Sequence, residues 1–280
     1  MALSFRHLLR TIVFSRVDLR NHRKISIIDG RITYCGSQNC ADPEFRVKAR
    51  YAPWVDIMGR FEGPVVAQNQ LLFASDWMLN RPDAALSDFP LHSEALPGGF
   101  PAQVFGDGPT ERRGATPQLF STLMATAQQD LLISTPYFVP DSTVLDAIVG
   151  AAYRGVNVTL VFPKRNDSWV VAAVSRSYYR RLLEAGVKIY EFNGGLLHSK
   201  TLTVDGMVTL LGSTNMDLRS FDLNYENDIL LHDPRFTAAV IQRQHDYIAQ
   251  ADAVTLPDVQ AWSPLRRLWN NIFATLGPVL

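Results

Sequence analysis

Two stretches of the chain repeat one pattern of apolar and polar positions. Lys24 to Ile28 alternates and is β-branched, Arg31 to Tyr34 does the same, and the Asp29-Gly30 pair between them is a strong hairpin signal. The figure returns downstream around Asp205-Gly206. Alternation on a strand puts residues i and i+2 on one face, so His22 and Lys24 project together, as do His198 and Lys200. Between the two hairpins the pattern switches repeatedly from period two to helical spacing. Leu131 to Phe138 reads as a strand, Asp141-Ser142 caps a helix running to Gly155, and Val156 to Phe162 reads as a buried strand. Ser168 to Ala185 reads as a helix closed by Gly186, Val187 to Phe192 as a strand, Tyr225 to Leu231 as a strand and Pro234 to Ala251 as a helix.

This alternation predicts a complete layered α/β unit over 112–251. The first half differs, because only about twenty residues precede His22, too few for the strand–helix series that precedes the second hairpin. The expected organisation is therefore a partial first lobe at 1–82, a Pro-, Gly- and Asp-rich linker at 83–111, a full second lobe at 112–251 and a C-terminal segment at 252–280. In that last segment Leu265, Leu268, Trp269, Ile272, Phe273 and Leu276 recur at helical spacing, with Arg266, Arg267 and two asparagines opposite. Two readings of this amphipathic helix stand side by side: packing against the domain, or lying in a lipid headgroup layer. No run approaches the ~20 apolar residues of a spanning helix, and the patch Thr11 to Phe14 is too short for a signal-peptide core.

Composition narrows the classes. Hydrophobic residues make up 47% of the chain and charged residues 19%, which favours a packed core over disorder. Formal net charge is zero, whereas a dedicated nucleic-acid binder shows a basic excess. Cys35 and Cys40 are too few and too close for a zinc site or a disulfide framework, and are expected as reduced thiols.

The chemistry sits in the repeat. Residues 22–39, HRKISIIDGRITYCGSQN, align without a gap on residues 198–215, HSKTLTVDGMVTLLGSTN, with eight identities. His22 pairs with His198, Lys24 with Lys200, Asp29 with Asp205, Ser37 with Ser213 and Asn39 with Asn215. The chain is a tandem duplication with one HxKxxxxD motif per half. A phosphodiester repels nucleophiles, so its catalyst needs a nucleophile, an acid for the leaving alkoxide and cations around the phosphoryl oxygens. Two histidines and two lysines supply these without metal or cofactor. For Asp29 and Asp205 a turn role and a charge-orienting role compete, because each opens an Asp-Gly turn.

The motif pair, each followed by GSxN, resembles the phospholipase D superfamily. The segments WVDIMGRFEGPVV, TPYFVPD, RGVNVTLVFPKRNDS, EAGVKIYEFNGGLLHSK, GSTNMDLRSFDLNYEND and WSPLRRLW are similar, within it, to the bacterial cardiolipin synthases. The resemblance implies phospholipase D-like α/β/α sandwich lobes, duplicated, with the first incomplete. It implies His22 as the nucleophile forming a phosphohistidine and His198 as its acid–base partner, although the sequence by itself does not choose between the two rings. Lys24, Lys200, Asn39 and Asn215 would hold the phosphate, with Ser37 and Ser213 lining the same pocket. An acid after each motif would orient that motif's own histidine: Glu226 for the second and Asp56 for the first. The implied reaction moves a phosphatidyl group from one phosphatidylglycerol to another and releases glycerol, at a bacterial inner membrane that the chain meets peripherally. The expected partners are anionic phospholipid and the membrane surface, without nucleic acid. Family members begin with membrane helices and a whole first lobe, which this sequence does not display, so its catalytic competence stands as an open expectation. A phospholipase D-type nuclease or lipid hydrolase, and a non-catalytic membrane-binding remnant, are the competing readings.

Overall fold

The computed structural model describes residues 19–42, 49–81, 83–92 and 94–275. The apolar patch Thr11 to Phe14 and Leu276 with the rest of the tail lie outside the described residues. The strands and helices follow in the order β1 (Arg20–Asn21), β2 (Ile25–Ile28), β3 (Ile32–Gly36), β4 (Trp54–Val55), β5 (Met58–Glu62) and α1 (Pro64–Asn80). Then come β6 (Ala102–Asp107), α2 (Ala115–Thr126), β7 (Asp130–Ser134), β8 (Phe138–Val139), α3 (Ser142–Tyr153) and β9 (Asn157–Pro163). They continue with α4 (Trp169–Ser177), α5 (Tyr179–Glu184), β10 (Lys188–Phe192), β11 (Leu196–Leu197), β12 (Thr201–Val204), β13 (Val208–Gly212) and β14 (Met216–Asp217). The chain closes with α6 (Leu218–Asp222), β15 (Asn224–His232), α7 (Pro234–Ile248), β16 (Ala251–Val254), α8 (Leu256–Gln260) and α9 (Pro264–Ala274).

Over 112–251 strands and helices alternate in the order that the periodicity predicts. Strands β13, β12, β7, β9, β10 and β16 stand side by side, with β15 next to β13. β7 runs parallel to β9 and β9 to β10, which is the expected outcome of the α3 and α4–α5 crossovers. Both faces of these strands are covered, so β9 reads as a continuous apolar run and is buried from Val158 onward. The core gathers Leu131, Ile133, Phe138, Ile148, Leu160, Leu182 and Leu202. Asp141 caps α3 by accepting from the Val144 N–H at 2.9 Å, as its place before Ser142 predicts. The predicted helix 168–185 is two helices, α4 and α5, meeting at Tyr178. The predicted strand 131–138 is also two pieces, since Pro136 cannot donate to a ladder and the chain pairs again only at β8.

The first lobe is a three-stranded sheet, ordered β2-β3-β5, with α1 against it. Its hairpin forms at Asp29-Gly30 with both residues at positive φ, 53° and 63°, the geometry that the two-residue turn requires. The linker reading of 83–111 needs correction at its end. β6 lies there, and it pairs antiparallel along β15 from Glu226↔Asp107 to Leu231↔Ala102. Its alternation is short and framed by Gly99 and Gly108, so composition masked it.

Candidate active site

Each motif histidine is placed by a short parallel pairing with the opposite lobe. β1 pairs with the start of β15, Asn21 opposite Tyr225, so the next residues on the two strands are His22 and Glu226. β11 pairs with β4, Leu197 opposite Val55, so the next residues are His198 and Asp56. The two arrangements mirror each other across the lobe boundary. His22 Nδ1 meets both Glu226 carboxylate oxygens at 2.9 Å, and His198 Nδ1 meets Asp56 Oδ1 at 2.6 Å. A carboxylate only accepts, so each Nδ1 carries the proton and each Nε2 is left with its lone pair for substrate.

This corrects the expectation that each acid orients its own motif's histidine. Glu226 lies after the second motif but holds the first histidine, and Asp56 does the reverse. The reason is topological: the acids begin β15 and follow β4, the two elements whose edges are taken by strands of the other lobe.

The serines of the repeated GSxN sit behind the acids. Ser37 Oγ donates to Asp56 Oδ1 at 2.7 Å, and Ser213 Oγ donates to Glu226 Oε2 at 2.5 Å. Their hydroxyls are therefore engaged by carboxylates, where the sequence reading had placed them in the phosphate pocket. The glycine before each serine is needed for close approach. A Cβ at Gly212 would collide with the Asp228 carboxylate and the Asn227 carbonyl, and one at Gly36 with the Ile57 carbonyl. Asn224 is a third partner of Glu226, donating to Oε1 at 3.0 Å.

The lysines complete the cluster. Lys24 Nζ donates to the His22 carbonyl at 2.5 Å and Lys200 Nζ to the His198 carbonyl at 2.6 Å, which folds each ammonium back beside its own histidine. Burial takes Lys24 down to about 8 and, with repulsion from Lys24, takes Lys200 down to about 7. Burial and Lys200 also lower His198 to about 4, and burial lowers His22 below its ordinary value against the opposing pull of Glu226. Desolvation would raise Glu226 and Asp56, but the histidine, serine and lysine around each together hold both carboxyls below their ordinary value. At neutral pH these surroundings favour ionised acids, neutral histidines, a mostly protonated Lys24 and a Lys200 near its midpoint. The negative charge of an incoming phosphodiester attracts protons onto these groups and so offsets the desolvation.

Asn215 is buried; its Nδ2 donates to Ser220 Oγ at 3.2 Å and its Oδ1 has no hydrogen-bond partner among the described residues. Asn39 is half-buried at the end of its hairpin. The motif aspartates are elsewhere. Asp205 has positive φ, 50°, in the turn at the far end of β12, roughly 20 Å along the strand from His198. There its carboxylate accepts from the backbone N–H groups of Gln128, Gln129 and Asp130 at 2.8–2.9 Å. Asp29 occupies the equivalent turn of the first hairpin. Between the two competing roles, the geometry gives them the turn.

Several residues near the site were not singled out in the sequence. Trp54 tilts against the His198 ring with centroids 4.7 Å apart. Arg23 ties the lobes together: Nη1 meets Asp76 at 2.6 Å, Nε donates to the Glu226 carbonyl at 3.1 Å and Nη2 to the Asp107 carbonyl at 3.2 Å. Asp228, buried behind Gly212 and bonded to Thr214, is pushed up to about 7 by desolvation. A signal existed for it, since Glu226 and Asp228 lie two apart on a strand and share a face. Trp54 and Arg23 gave no such signal, because their roles arise only at the lobe boundary. Cys35 is a buried free thiol pushed up to about 12, and Cys40 is free and exposed. No group of three or more His, Cys, Asp or Glu with metal-holding geometry occurs among the described residues.

Residues 120–247 match the family described as cardiolipin synthase, phospholipase D-like domain. The chain is 41% identical over 266 residues to cardiolipin synthase A of Yersinia pseudotuberculosis serotype O:1b (strain IP 31758), covering 92% of this chain and 53% of that protein. Cardiolipin synthase A of Yersinia pestis matches with the same identity and coverage. The chain thus spans about half the length of these relatives. Among solved structures, phosphatidylserine synthase of Haemophilus influenzae Rd KW20 superimposes with a TM-score of 0.68 at 16% identity, covering 95% of this chain and 72% of that one, a likeness of fold.

Proposed function

We propose that the chain works as the cardiolipin synthases it resembles and that its site transfers a phosphatidyl group from one phosphatidylglycerol to another, releasing glycerol. The observation that supports this most is the mirrored pair of carboxylate-tethered histidines flanked by two buried lysines. In the first step the anionic substrate draws a proton onto His198 Nε2. Then His22 Nε2 attacks phosphorus, the P–N bond forms, the P–O bond to the headgroup glycerol breaks, and His198 passes that Nε2 proton to the leaving oxygen, returning to the neutral ring. In the second step His198 takes the proton of the acceptor hydroxyl, its oxygen bonds to phosphorus, and the P–N bond breaks. Assigning attack to His22 follows the family resemblance and its greater openness, 27% of the side chain against 4% for His198. Lys24 and Lys200 neutralise the non-bridging oxygens throughout, with Asn215 and Asn39 as neighbouring donors.

The test is mass spectrometry after mixing with phosphatidylglycerol and quenching in neutral denaturant, which preserves a P–N bond, alongside glycerol release. His22→Ala should lose both the phosphorylated peptide and turnover. His198→Ala should lose turnover by about 10³-fold or more yet still trap label on His22. Full turnover in either variant overturns the two-histidine mechanism. Label trapped on His198 in His22→Ala reverses the assignment. Fatty-acyl product appearing as phosphatidic acid with water as the acceptor would make the enzyme a hydrolase.

A further inference from the structure

The C-terminal helix α9 is mounted inside out. Its apolar stripe, Leu265, Leu268, Trp269 and Ile272, follows the i, i+3, i+4, i+7 spacing of a buried face, yet these side chains are 74%, 56%, 49% and 49% exposed. The helix packs on α4 by a different face, on which Asn270 is buried and Phe273 half-buried. Trp169, itself mostly exposed, stacks on Trp269 with centroids 5.9 Å apart and meets Phe273 edge-on at 5.0 Å. The result is a continuous apolar ridge with a tryptophan from each helix. A folded chain gains nothing by spending such a stripe on water, so the ridge calls for a partner.

The charge beside the ridge identifies the partner's sign. α9 carries two arginines and no acid. Arg266 lies over the Trp262 ring at 4.1 Å, and neither it nor Arg267 has a carboxylate partner among the described residues. On the flank away from the ridge, Arg267 lines a cavity of about 130 Å³ together with Arg176 and Arg180. Those two are partly compensated, by Glu191 at 3.2 Å and Glu184 at 2.8 Å. Asn270 lines the same cavity, 4% exposed, and its buried Nδ2 has no hydrogen-bond partner among the described residues. Donors without an acceptor are what an anion satisfies. A helix is about 10 Å across, so one that rests its apolar stripe on the acyl boundary carries its opposite flank at headgroup level.

The position of the ridge connects it to the site. β12 runs antiparallel to β7 with Thr201 opposite Ser134, so His198 and Lys200 lie at the C-terminal end of β7. β9 runs parallel to β7, and Trp169 follows its C-terminal end after only a few residues. Tyr137, after β7, donates to Asp167 at 2.7 Å, two residues before Trp169. The tryptophan ridge therefore begins on the same end of the sheet as the motif histidines.

We propose that the ridge formed by α9 and the start of α4 docks the protein on an anionic phospholipid bilayer, with headgroup phosphates against Arg267 and Asn270, and so presents the site to its lipid. The inference rests on the phospholipid reading of the site. It is tested with the full chain by sedimentation with vesicles of phosphatidylcholine alone and of about 3:1 phosphatidylcholine to phosphatidylglycerol. The wild type should bind the anionic vesicles more tightly, and less so as salt rises. Leu268→Gln combined with Ile272→Gln, both at exposed positions and checked for an unchanged melting temperature, should weaken binding about tenfold or more. Arg267→Gln should erase most of the preference for phosphatidylglycerol over phosphatidylcholine. Undiminished binding by the double variant overturns the docking surface. So does a wild-type dimer, seen by sedimentation equilibrium, that the double variant abolishes, because a second copy would then be the occupant. Turnover of a water-soluble short-chain phosphatidylglycerol separates the two readings. The double variant should keep it, and a wild type that docks without turning it over counts against the transferase and not against the ridge.

Discussion

The two motif hairpins share their residues and turn geometry and differ in what surrounds them. β12 is paired on both sides, by β7 and β13, and all four of its residues are buried. β2 is paired with β3 and, among the described residues, has no partner on its other edge; its residues alternate between half-buried and exposed. The electrostatics follow the packing. Lys200 is taken down to about 7 and Lys24 only to about 8, with burial the leading cause in both. A motif fixes which side chains share a face, but the depth of the site and the charge state of its lysines come from the elements packed around it. The reciprocal acid–histidine pairing compensates in part, because it anchors the more open hairpin to the better-packed lobe through His22, Arg23 and β1.

The sharpest way to break that comparison is to remove each acid's charge. Asp56→Asn and Glu226→Gln should each lower kcat by about 10²–10⁴-fold, roughly 3–5 kcal/mol of barrier. Their pH profiles should shift crosswise. Asp56 raises the pKa of His198, so its loss lowers that ring further and moves the alkaline limb, set by the protonated acid, to lower pH. Glu226 raises His22, so its loss moves the acid limb, set by the neutral nucleophile, to lower pH. If Glu226→Gln moved the alkaline limb, each acid would serve its own motif's histidine after all.

That crossing marks where sequence reading stopped. The hairpins, the projection of His22 with Lys24 and of His198 with Lys200, and the α/β order of the second lobe all follow from local periodicity, and local periodicity is written in consecutive residues. The partner of a histidine across 142 or 204 residues is not. Two-residue strands such as β1, β4 and β11 are too short to leave a periodic trace, yet they decide which acid meets which ring. The same limit hid β6 inside a glycine- and proline-rich stretch, and left open which face of α9 packs on the domain.

Next in size are the lysines. In both, desolvation outweighs the attraction of Asp56 and Glu226, since the net pKa lies below the ordinary 10.5. Lys200→Met should therefore abolish activity while raising stability by about 1–4 kcal/mol, and Lys24→Met should raise it by less. The sign with pH follows. An unfolded chain keeps Lys200 protonated up to 10.5 while the folded one releases the proton near 7, so the unfolded state binds more protons in between and stability rises with pH. The rise should be visible from about 7 to 9, before the buried Cys35 thiol, pushed up from its ordinary 9.0, begins to oppose it. Lys200→Met should flatten that rise more than Lys24→Met, read by chemical denaturation across the range. Equal flattening would mean that the two hairpins are equally desolvated.

The smallest effect probes the hairpin edges directly. Ile28 and Val204 occupy the same position of the repeat, the last residue of the first hairpin strand. Val204 is 3% exposed, so Val204→Thr places a hydroxyl in the core and should cost about 1–3 kcal/mol. Ile28 is 46% exposed, so Ile28→Thr keeps a β-branched residue on the strand, buries no new polar atom, and should change stability by about 0.5 kcal/mol or less. Among the described residues Ile28 belongs to an edge strand that offers unpaired backbone groups beside an exposed isoleucine, the arrangement that recruits other strands. The substitution should accordingly show itself in solution behaviour, as less concentration-dependent association in light scattering, while the melting temperature hardly moves. A loss at Ile28 as large as that at Val204 would mean that the edge is covered in the folded protein, and the contrast between the two hairpins would have to be given up.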